Sequence, residues 1–380
     1  MTLQPKFTRS GSQKLPSHRV ARAGSGTVRQ KRRLLLVSVA AGSVVVLAFG
    51  WWALRRELSP VSRLEPSTAA NQKSAPNLKE LLAFSSLQVE QSDIAVLNLL
   101  CAEGLRGAES VKPEAALTTI DHWAERVRSE TERNIYQYRS NPKGFENSEP
   151  YFRVLIMAAV VHDDFRVRYN PALISAPGET DANDRFFADS RDVFLHGLCG
   201  SRRMGTCSSM PVLYVALGRR LGYPLKLVTT KSHLFIRWDG PAEQFDLEAT
   251  GRGMNRYDDE HFKHWPFEVT EAEIQTDGYL KSLNPAEELA LFLSLRGHCL
   301  KEAGRLNEAI AAYAEASRWA PDSRAYQALL ADARTRLSPP PSSRLAQRPL
   351  AAVPALSPAR MSVPAIAGQP PDPNPLLKLR

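Results

Sequence analysis

The sequence predicts an α+β protein in which a small antiparallel sheet lies between two helical regions. Apolar residues recur at helical spacing through residues 78–165. Three runs with strand character then follow at Leu225–Thr229, His233–Trp238 and Gln244–Ala249. Residues 290–323 return to a helical pattern, with small, aromatic and proline residues at the positions of a helical repeat. With 380 residues, of which 43% are hydrophobic, the chain can bury a sizeable core.

An uncharged apolar run at residues 34–54 predicts a single transmembrane helix, since about 20 residues span a bilayer core. Trp51 and Trp52 at its far end fit the membrane interface. The basic segment 1–33 predicts a cytoplasmic N-terminus and an extracytoplasmic folded part, which is periplasmic if the source is a Gram-negative bacterium. A cleaved signal peptide with a small-residue site at residues 48–50 is the alternative. The run is, however, longer than the roughly 7 to 15 apolar residues of a signal peptide.

The net charge of +9 comes from the N-terminal segment and not from the rest of the chain. Residues 1–33 contain nine basic residues and no acidic one, so residues 34–380 sum to zero. This distribution gives no support to a basic nucleic-acid-binding face on the folded part, and we predict no nucleic-acid partner. Four cysteines are too few for a disulfide framework and lack the paired spacing of a structural zinc site. They are Cys101, Cys199, Cys207 and Cys299.

Composition divides the rest of the chain into a spacer, three structured regions and a tail. Residues 55–77, rich in Ser, Pro and Ala, predict a linker. A helical subdomain is predicted at 78–168, a core at 169–285 and a helical repeat at 286–337. Residues 338–380 hold 11 of the 27 prolines, which predicts a disordered tail without packed structure. A single repeat cannot bury its own faces, so we expect it to pack on the core, with a protein-binding groove as its alternative role.

Neither group of histidines and carboxylates in the chain has the spacing of a metal site. His162, Asp163 and Asp164 are adjacent, so on a helix their side chains point in different directions. His261 and His264 can share a helix face, but no third ligand accompanies them. We therefore predict no metal and no cofactor.

The stretch GTCSSMPVLYVALGRRLGY at residues 205–223 places Cys207 where a helix begins. Its proline is tolerated in a first helical turn, which predicts a helix start near Ser208. A cysteine there feels the positive end of the helix dipole, and Arg202 and Arg203 lie just upstream. Such a setting favours a nucleophilic thiolate. The alternative is a small buried cysteine that only packs in the core.

His233 begins the second predicted strand, and two acids lie on the third. Side chains alternate along a strand, so Asp246 and Glu248 share one face. The connection between the two strands is short enough for a hairpin, which places an acid beside His233. Cys207, His233 and either Glu248 or Asp246 therefore form a candidate nucleophile, base and orienting acid in chain order.

These three residue types are the ones that acyl transfer by a thiol requires. A thiolate attacks a carbonyl carbon, an imidazole takes the thiol proton and later gives one to the leaving group, and a carboxylate fixes the imidazole tautomer. Backbone N–H groups at the helix start can hold the developing oxyanion. A lone strand histidine is commonly structural, so the prediction rests on the ordered combination.

The motifs GTCSSMPVLY, SHLFIRW and FDLEAT together resemble the transglutaminase-like superfamily, in which a papain-like α+β fold carries Cys, His and Asp or Asn as a triad. The resemblance makes Cys207 the nucleophile and His233 the base. Glu248 falls where many relatives have aspartate, and Asp246 competes with it for that role. Over residues 80–323 the chain is similar to a bacterial branch of the superfamily that joins a helical N-terminal part, this core and a tetratricopeptide repeat.

The resemblance implies a membrane-anchored thiol enzyme: a protease, amidase or crosslinking acyltransferase that acts on a peptide-like substrate. Whether water or an amine resolves the thioester stays open. The alternative is a catalytically inactive scaffold that binds protein partners through its helical repeat; some proteins with this core lack the cysteine, whereas this chain keeps it. On an oxidising side of the membrane, a reversible disulfide between Cys199 and Cys207 is a further hypothesis.

Overall fold

The computed structural model describes residues 76–109, 111–174, 185–251 and 254–337. Over these ranges the protein is a mixed α+β structure. The helices are α1 (Leu78–Leu81), α2 (Ser86–Glu90), α3 (Ile94–Cys101), α4 (Pro113–Ser140), α5 (Glu149–Ala159), α6 (Ser190–Val193), α7 (Leu195–Cys199), α8 (Met210–Arg220), α9 (Asp259–His264), α10 (Glu271–Asp277), α11 (Pro285–Glu302), α12 (Leu306–Trp319) and α13 (Arg324–Leu337). The strands are β1 (Arg168–Tyr169), β2 (Met204–Gly205), β3 (Leu225–Thr230), β4 (His233–Asp239), β5 (Gln244–Glu248) and β6 (Asn255–Tyr257).

The predicted N-terminal tail (1–33), transmembrane helix (34–54) and C-terminal tail (338–380) lie outside the described residues, as does nearly all of the linker 55–77. Within the described ranges, no helix is both long enough and apolar enough to cross a membrane.

The region that the sequence predicts as helical contains α1 to α5. Helix α4 begins at Pro113, a residue suited to a first turn because the first N–H groups of a helix have no partner in the helix. Helix α5 is capped by Ser148, whose hydroxyl accepts the N–H of Tyr151 at 3.0 Å. The side chains of Trp123 and Val127 are buried on one face of α4 and join the main core.

Strands β3 to β6 form one antiparallel sheet in chain order. The three predicted strands are confirmed to within one residue at each end, while β6 is too short to produce a recognisable alternation. Alternation along β4 places Leu234 and Ile236 in the main core. Phe235 lies on the other face, where its ring stacks on that of Phe262 with centroids 3.7 Å apart. The sheet therefore has two buried faces, and His233 and Arg237 share the face of Phe235.

Helix α8 is the buried centre of the fold. Its residues Met210 to Gly218 are all buried, and it packs against α3, α4, β3 and β4. Gly222, with a φ of +74°, follows its last turn in the left-handed conformation that glycine adopts readily. The helix begins at Met210, two residues later than the predicted start near Ser208.

Helices α11 and α12 form a hairpin across a short connection, and α13 packs against α12. Gly297 allows the close approach of the two helices, because a Cβ atom there would stand 2.4 Å from Cε1 of Tyr313. Helix α11 also packs against α2 and α3. As the sequence predicts, the hairpin is packed on the rest of the fold. An ion pair links α8 to α11, since the partly exposed Arg219 donates to the buried Glu288 at 3.0 and 2.5 Å.

Candidate active site

Cys207 lies in a tight turn directly before α8, and side-chain hydrogen bonds hold that turn. Thr206 donates its hydroxyl to the backbone carbonyl of Asp192 at 2.8 Å, and Ser209 donates to the same carbonyl at 3.0 Å. The Ser209 hydroxyl also accepts the N–H of Thr206 at 3.0 Å. Gly205 is required beside it, because a Cβ atom there would stand 2.3 Å from Ser209 Oγ. This network replaces the helical turn that the sequence predicts and presents Cys207 at the helix start.

His233 and Glu248 meet on one face of the sheet. His233 is the first residue of β4 and Glu248 the last of β5, and Nε2 of the imidazole lies 2.6 Å from Oε2 of the carboxylate. The other carboxylate oxygen accepts the backbone N–H of Thr250 at 2.7 Å and also its hydroxyl. Both side chains of the pair are nearly buried, at 4% and 8% exposed. Because Nε2 is bound to Glu248, Nδ1 is the imidazole nitrogen available to a thiol.

Charge interactions keep this pair ionised near neutral pH. Burial alone lowers the pKa of His233, but the negative charge of Glu248 and the neighbouring Cys207 raise it to about 10. Burial alone raises the pKa of Glu248, but the charge and hydrogen bond of His233 hold it below its usual value. Cys207 is close enough to His233 to interact with its imidazole.

Aromatic rings surround the imidazole and restrict its orientation. The Trp265 ring meets His233 edge-on, with centroids 4.6 Å apart. Phe262 lies nearly parallel to the imidazole at 6.5 Å and is itself fully buried. These contacts exclude water from the far side of His233, which strengthens its interaction with Glu248.

Asp246 does not contact His233. It lies directly opposite Arg237 in the β4–β5 ladder and accepts two hydrogen bonds from that guanidinium, at 2.5 and 2.9 Å. Burial raises the pKa of Asp246 to about 6 although Arg237 acts in the opposite direction. The two acids share one face of β5, as predicted, but Glu248 is the one that meets His233.

The two arginines upstream of Cys207 are turned to other partners. Arg202 donates to the carboxylate of Asp192 at 2.7 Å, and the Arg203 guanidinium lies over the Trp123 ring, 4.5 Å from its centroid. The positive charge beside Cys207 therefore comes from His233 and not, as the sequence suggested, from these arginines.

The four cysteines are free thiols. Burial raises the pKa of three of them to about 12, which leaves them protonated at neutral pH: Cys101, Cys199 and Cys299. Among the described residues, no three His, Cys, Asp or Glu side chains gather as a metal site. Nδ1 of His162 lies 2.8 Å from the Val167 carbonyl, and His264 lies between the exposed carboxylates of Glu260 and Glu268.

Tyr169 is a site residue that the sequence analysis missed. The two-residue strand β1 pairs in parallel with β2 and places Tyr169 opposite Gly205, two residues before the cysteine. Its hydroxyl oxygen is buried and makes no hydrogen bond of normal geometry within the described residues. Burial and the neighbouring Cys207 raise the pKa of Tyr169 well above its usual value, so the hydroxyl stays protonated and can donate. A strand of two residues has no periodicity, so no sequence signal pointed to it.

Cys207 and His233 line one cavity of about 200 Å³. Its lining includes Thr229 and Thr230 of β3 and residues of α11 and α13. The helical hairpin and the helix after it therefore contribute directly to the site, which the sequence did not indicate.

The fold and the site define an α+β protein in which a cysteine and a histidine line one cavity and a glutamate binds the histidine. No protein-family model matches the chain, and no curated protein or solved structure matches it.

Proposed function

We propose that the protein is a thiol enzyme with a transglutaminase-like, papain-like core that transfers or hydrolyses the acyl group of a peptide-like amide. Cys207 is the nucleophile, His233 the general base and acid, and Glu248 the residue that orients His233. The observation that carries the proposal is the 2.6 Å contact between His233 and Glu248, made beside a cysteine that opens onto the same cavity. A purely structural cysteine needs neither partner.

The first half of the reaction forms a thioester. The Cys207 thiolate attacks the carbonyl carbon of the amide, and the π electrons of the carbonyl move to its oxygen. The tetrahedral intermediate collapses as the C–N bond breaks, and the proton on Nδ1 of His233 passes to the departing amine. Glu248 stabilises the imidazolium before this transfer and holds its tautomer afterwards.

Two donors can stabilise the negative oxygen of the intermediate. The first is the backbone N–H of Cys207, in the turn directly before α8, since backbone N–H groups beside a nucleophile commonly bind the oxyanion. The buried hydroxyl of Tyr169 is the second, since it lies beside Cys207 and makes no hydrogen bond of normal geometry within the described residues.

The second half releases the acyl group. Neutral His233 takes a proton at Nδ1 from the incoming nucleophile, which attacks the thioester carbonyl, and the Cys207 thiolate leaves. Water as the nucleophile makes the enzyme a protease or amidase, and an amine makes it a crosslinking transferase. The alternative, an inactive scaffold that binds proteins through its helical repeat, needs no ionised His233–Glu248 pair beside a cysteine.

The direct test is covalent trapping on the full-length protein. Mass spectrometry after incubation with a library of peptide amides should find an acyl adduct on Cys207, and Cys207→Ala should form none. Iodoacetamide at neutral pH should label Cys207 ahead of Cys101, Cys199 and Cys299, whose raised pKa values make them internal controls. Equal labelling of all four thiols only above about pH 8 would contradict an activated nucleophile.

The chain is tethered to a membrane by residues 34–54, with its folded part on the extracytoplasmic side. The support is the apolar run and the basic residues before it. Alkaline extraction of membranes from expressing cells should leave the full chain in the pellet and release a chain that lacks residues 34–54. Release of both forms would count against the anchor.

A further inference from the structure

The cavity beside Cys207 runs away from the sheet towards the C-terminal helices. Leu291 and Leu295 of α11 and Leu329 of α13 supply much of its apolar lining. Phe187 closes one side, with its ring stacked on that of His298 at a centroid distance of 4.7 Å. A substrate side chain held by these residues would belong to the acyl group whose carbonyl carbon lies at Cys207.

The charges around this cavity disfavour an anionic guest. Burial and Lys301 lower the pKa of His298 to about 3, so its imidazole is neutral at physiological pH. Asp277 also lines the cavity, and its carboxylate accepts the backbone N–H of Ala325 at 3.1 Å. Apart from the His233 imidazolium at the reacting end, no described lining residue carries a positive charge. A carboxylate inside the cavity would therefore lose water without gaining a cationic partner.

Two hydroxyl groups of the lining are next in the chain to the proposed reacting residues. Ser208 follows the nucleophile in the chain, and Ser232 precedes His233. The lining is mainly apolar, with a few hydroxyl groups that also include Ser294 of α11 and Tyr326 of α13. A mainly apolar lining with a few polar groups is usual in a site that orients a polar group and accepts an apolar side chain.

We propose, resting on the acyl-transfer function above, that this cavity binds an apolar side chain of the acyl donor, aromatic or branched aliphatic. Helices α11 and α13 form the wall that selects it. The size fits this class, since an apolar cavity of about 150 Å³ holds a benzene ring and this one measures about 200 Å³. The helical hairpin then acts in substrate selection and not only in packing.

The test uses p-nitrophenyl esters of acetate, hexanoate, adipate and hydrocinnamate with the full-length protein. Attack by Cys207 on the ester carbonyl releases p-nitrophenolate, and water then cleaves the thioester. Each kcat/KM is divided by the uncatalysed hydrolysis rate of the same ester. The adipate ester carries a carboxylate where the hexanoate ester carries its terminal methyl group. The ratio of their normalised kcat/KM values therefore measures the penalty for an anion in the cavity. Hexanoate and hydrocinnamate should exceed acetate and adipate by about tenfold or more, because hydrophobic pockets discriminate roughly 10- to 200-fold per methylene.

A pair of adjacent leucines on α13 supplies the matched variants. Leu329 lines the cavity, whereas Leu330 packs on the core and lies outside the cavity lining, and both are partly buried. Leu329→Lys should lower the hexanoate rate and raise the adipate rate, so that their ratio falls about tenfold or more. Leu330→Lys should keep the wild-type ratio. A folding defect cannot create a preference for the charged ester.

The outcomes separate this proposal from the function on which it rests. Turnover that needs Cys207 but is equal for hexanoate and adipate overturns the apolar cavity and leaves the thiol enzyme intact. An equal fall of the hexanoate-to-adipate ratio in Leu329→Lys and Leu330→Lys also overturns the apolar cavity. Absence of any ester turnover that depends on Cys207, acetate included, overturns the proposed function and this inference with it.

Discussion

His233 Nε2 and Glu248 Oε2 lie 2.6 Å apart although the two residues are not opposite each other in the β4–β5 ladder. Their contact is diagonal across two neighbouring strands, within the reach of long side chains. Thr250, just beyond the end of β5, turns back to bind the second oxygen of Glu248. The carboxylate is thereby fixed from both sides, and its extra methylene, compared with aspartate, spans the diagonal.

Glu248→Gln should abolish most of the activity while keeping the shape of the site. The glutamine side chain can still form a hydrogen bond with Nε2 of His233. It carries no charge and does not stabilise the imidazolium, so the pKa of His233 should fall. We expect acyl-transfer rates lower by on the order of 100- to 10,000-fold, measured as kcat on a p-nitrophenyl ester. The pH profile of iodoacetamide labelling at Cys207 should shift in parallel.

Asp246→Asn is the matched control for Glu248→Gln, because both acids lie on the same face of β5. Asp246 binds Arg237 and does not contact His233, so its replacement should cost stability and leave the labelling profile unchanged. A shift of that profile in Asp246→Asn equal to the shift in Glu248→Gln would show that the two carboxylates do not have separate roles.

The pH dependence of stability should carry the signature of His233. Its pKa is raised from 6.5 to about 10 in the folded protein, so protonation favours the folded state. The stabilisation is complete below pH 6.5 and is lost as the pH rises towards 10. The measurement is the free energy of urea unfolding of the wild type minus that of His233→Gln, which should shrink across this window.

His264→Gln is the control for the unfolding experiment. His264 also has a raised pKa, from hydrogen bonds to Glu268 and Glu260, but it is exposed, and exposed ion pairs are screened by solvent. Its replacement should therefore leave the pH dependence nearly unchanged. A difference for His233→Gln that stays constant between pH 6.5 and 10 would contradict a raised pKa in the folded state.

Tyr169→Phe should separate acyl transfer from simple alkylation. If the hydroxyl donates to the oxyanion, its loss should lower kcat on an ester or amide by about 100- to 1,000-fold. Alkylation of Cys207 by iodoacetamide develops no oxyanion and should keep its rate. Tyr214→Phe is the control, because that hydroxyl is also buried without a partner in the described residues but lies within α8. Equal losses in both reactions for Tyr169→Phe would point to a structural role.

Local patterns predicted the strands well but did not determine which side chains meet. Alternation along β4 and β5 places His233 and both acids on one face, yet the choice between Asp246 and Glu248 depends on register, which puts Asp246 opposite Arg237. The start of α8 differs because Thr206 and Ser209 bind the carbonyl of Asp192, a contact between distant positions. Long-range contacts of this kind leave no mark on a local sequence pattern.

The same reasoning explains what the sequence missed entirely. Tyr169 belongs to a strand of two residues that exists only because β2 lies beside it. Leu329 follows an ordinary helical pattern, and its place in the cavity wall depends on how α13 packs against the rest of the fold. Residue types could suggest a nucleophile, a base and an acid, whereas the proposed oxyanion donor and the proposed cavity wall could be recognised only in the tertiary structure.

Glu288→Ala should show that the helical hairpin is part of the catalytic fold and not an independent module. Glu288 is fully buried and receives two hydrogen bonds from Arg219 of the helix that follows Cys207. The substitution removes a fully buried side chain and leaves the partly exposed Arg219 guanidinium without this partner, so we expect a loss of roughly 1 to 3 kcal/mol in the free energy of unfolding. The control is Glu308→Ala, where an exposed pair with Arg305 is lost and the cost should be at most about 1 kcal/mol.

A single cooperative transition for both variants is expected, because α11 packs directly on α2 and α3. Separate unfolding of the hairpin in Glu288→Ala, with Cys207 reactivity retained, would instead favour a detachable repeat that binds partners.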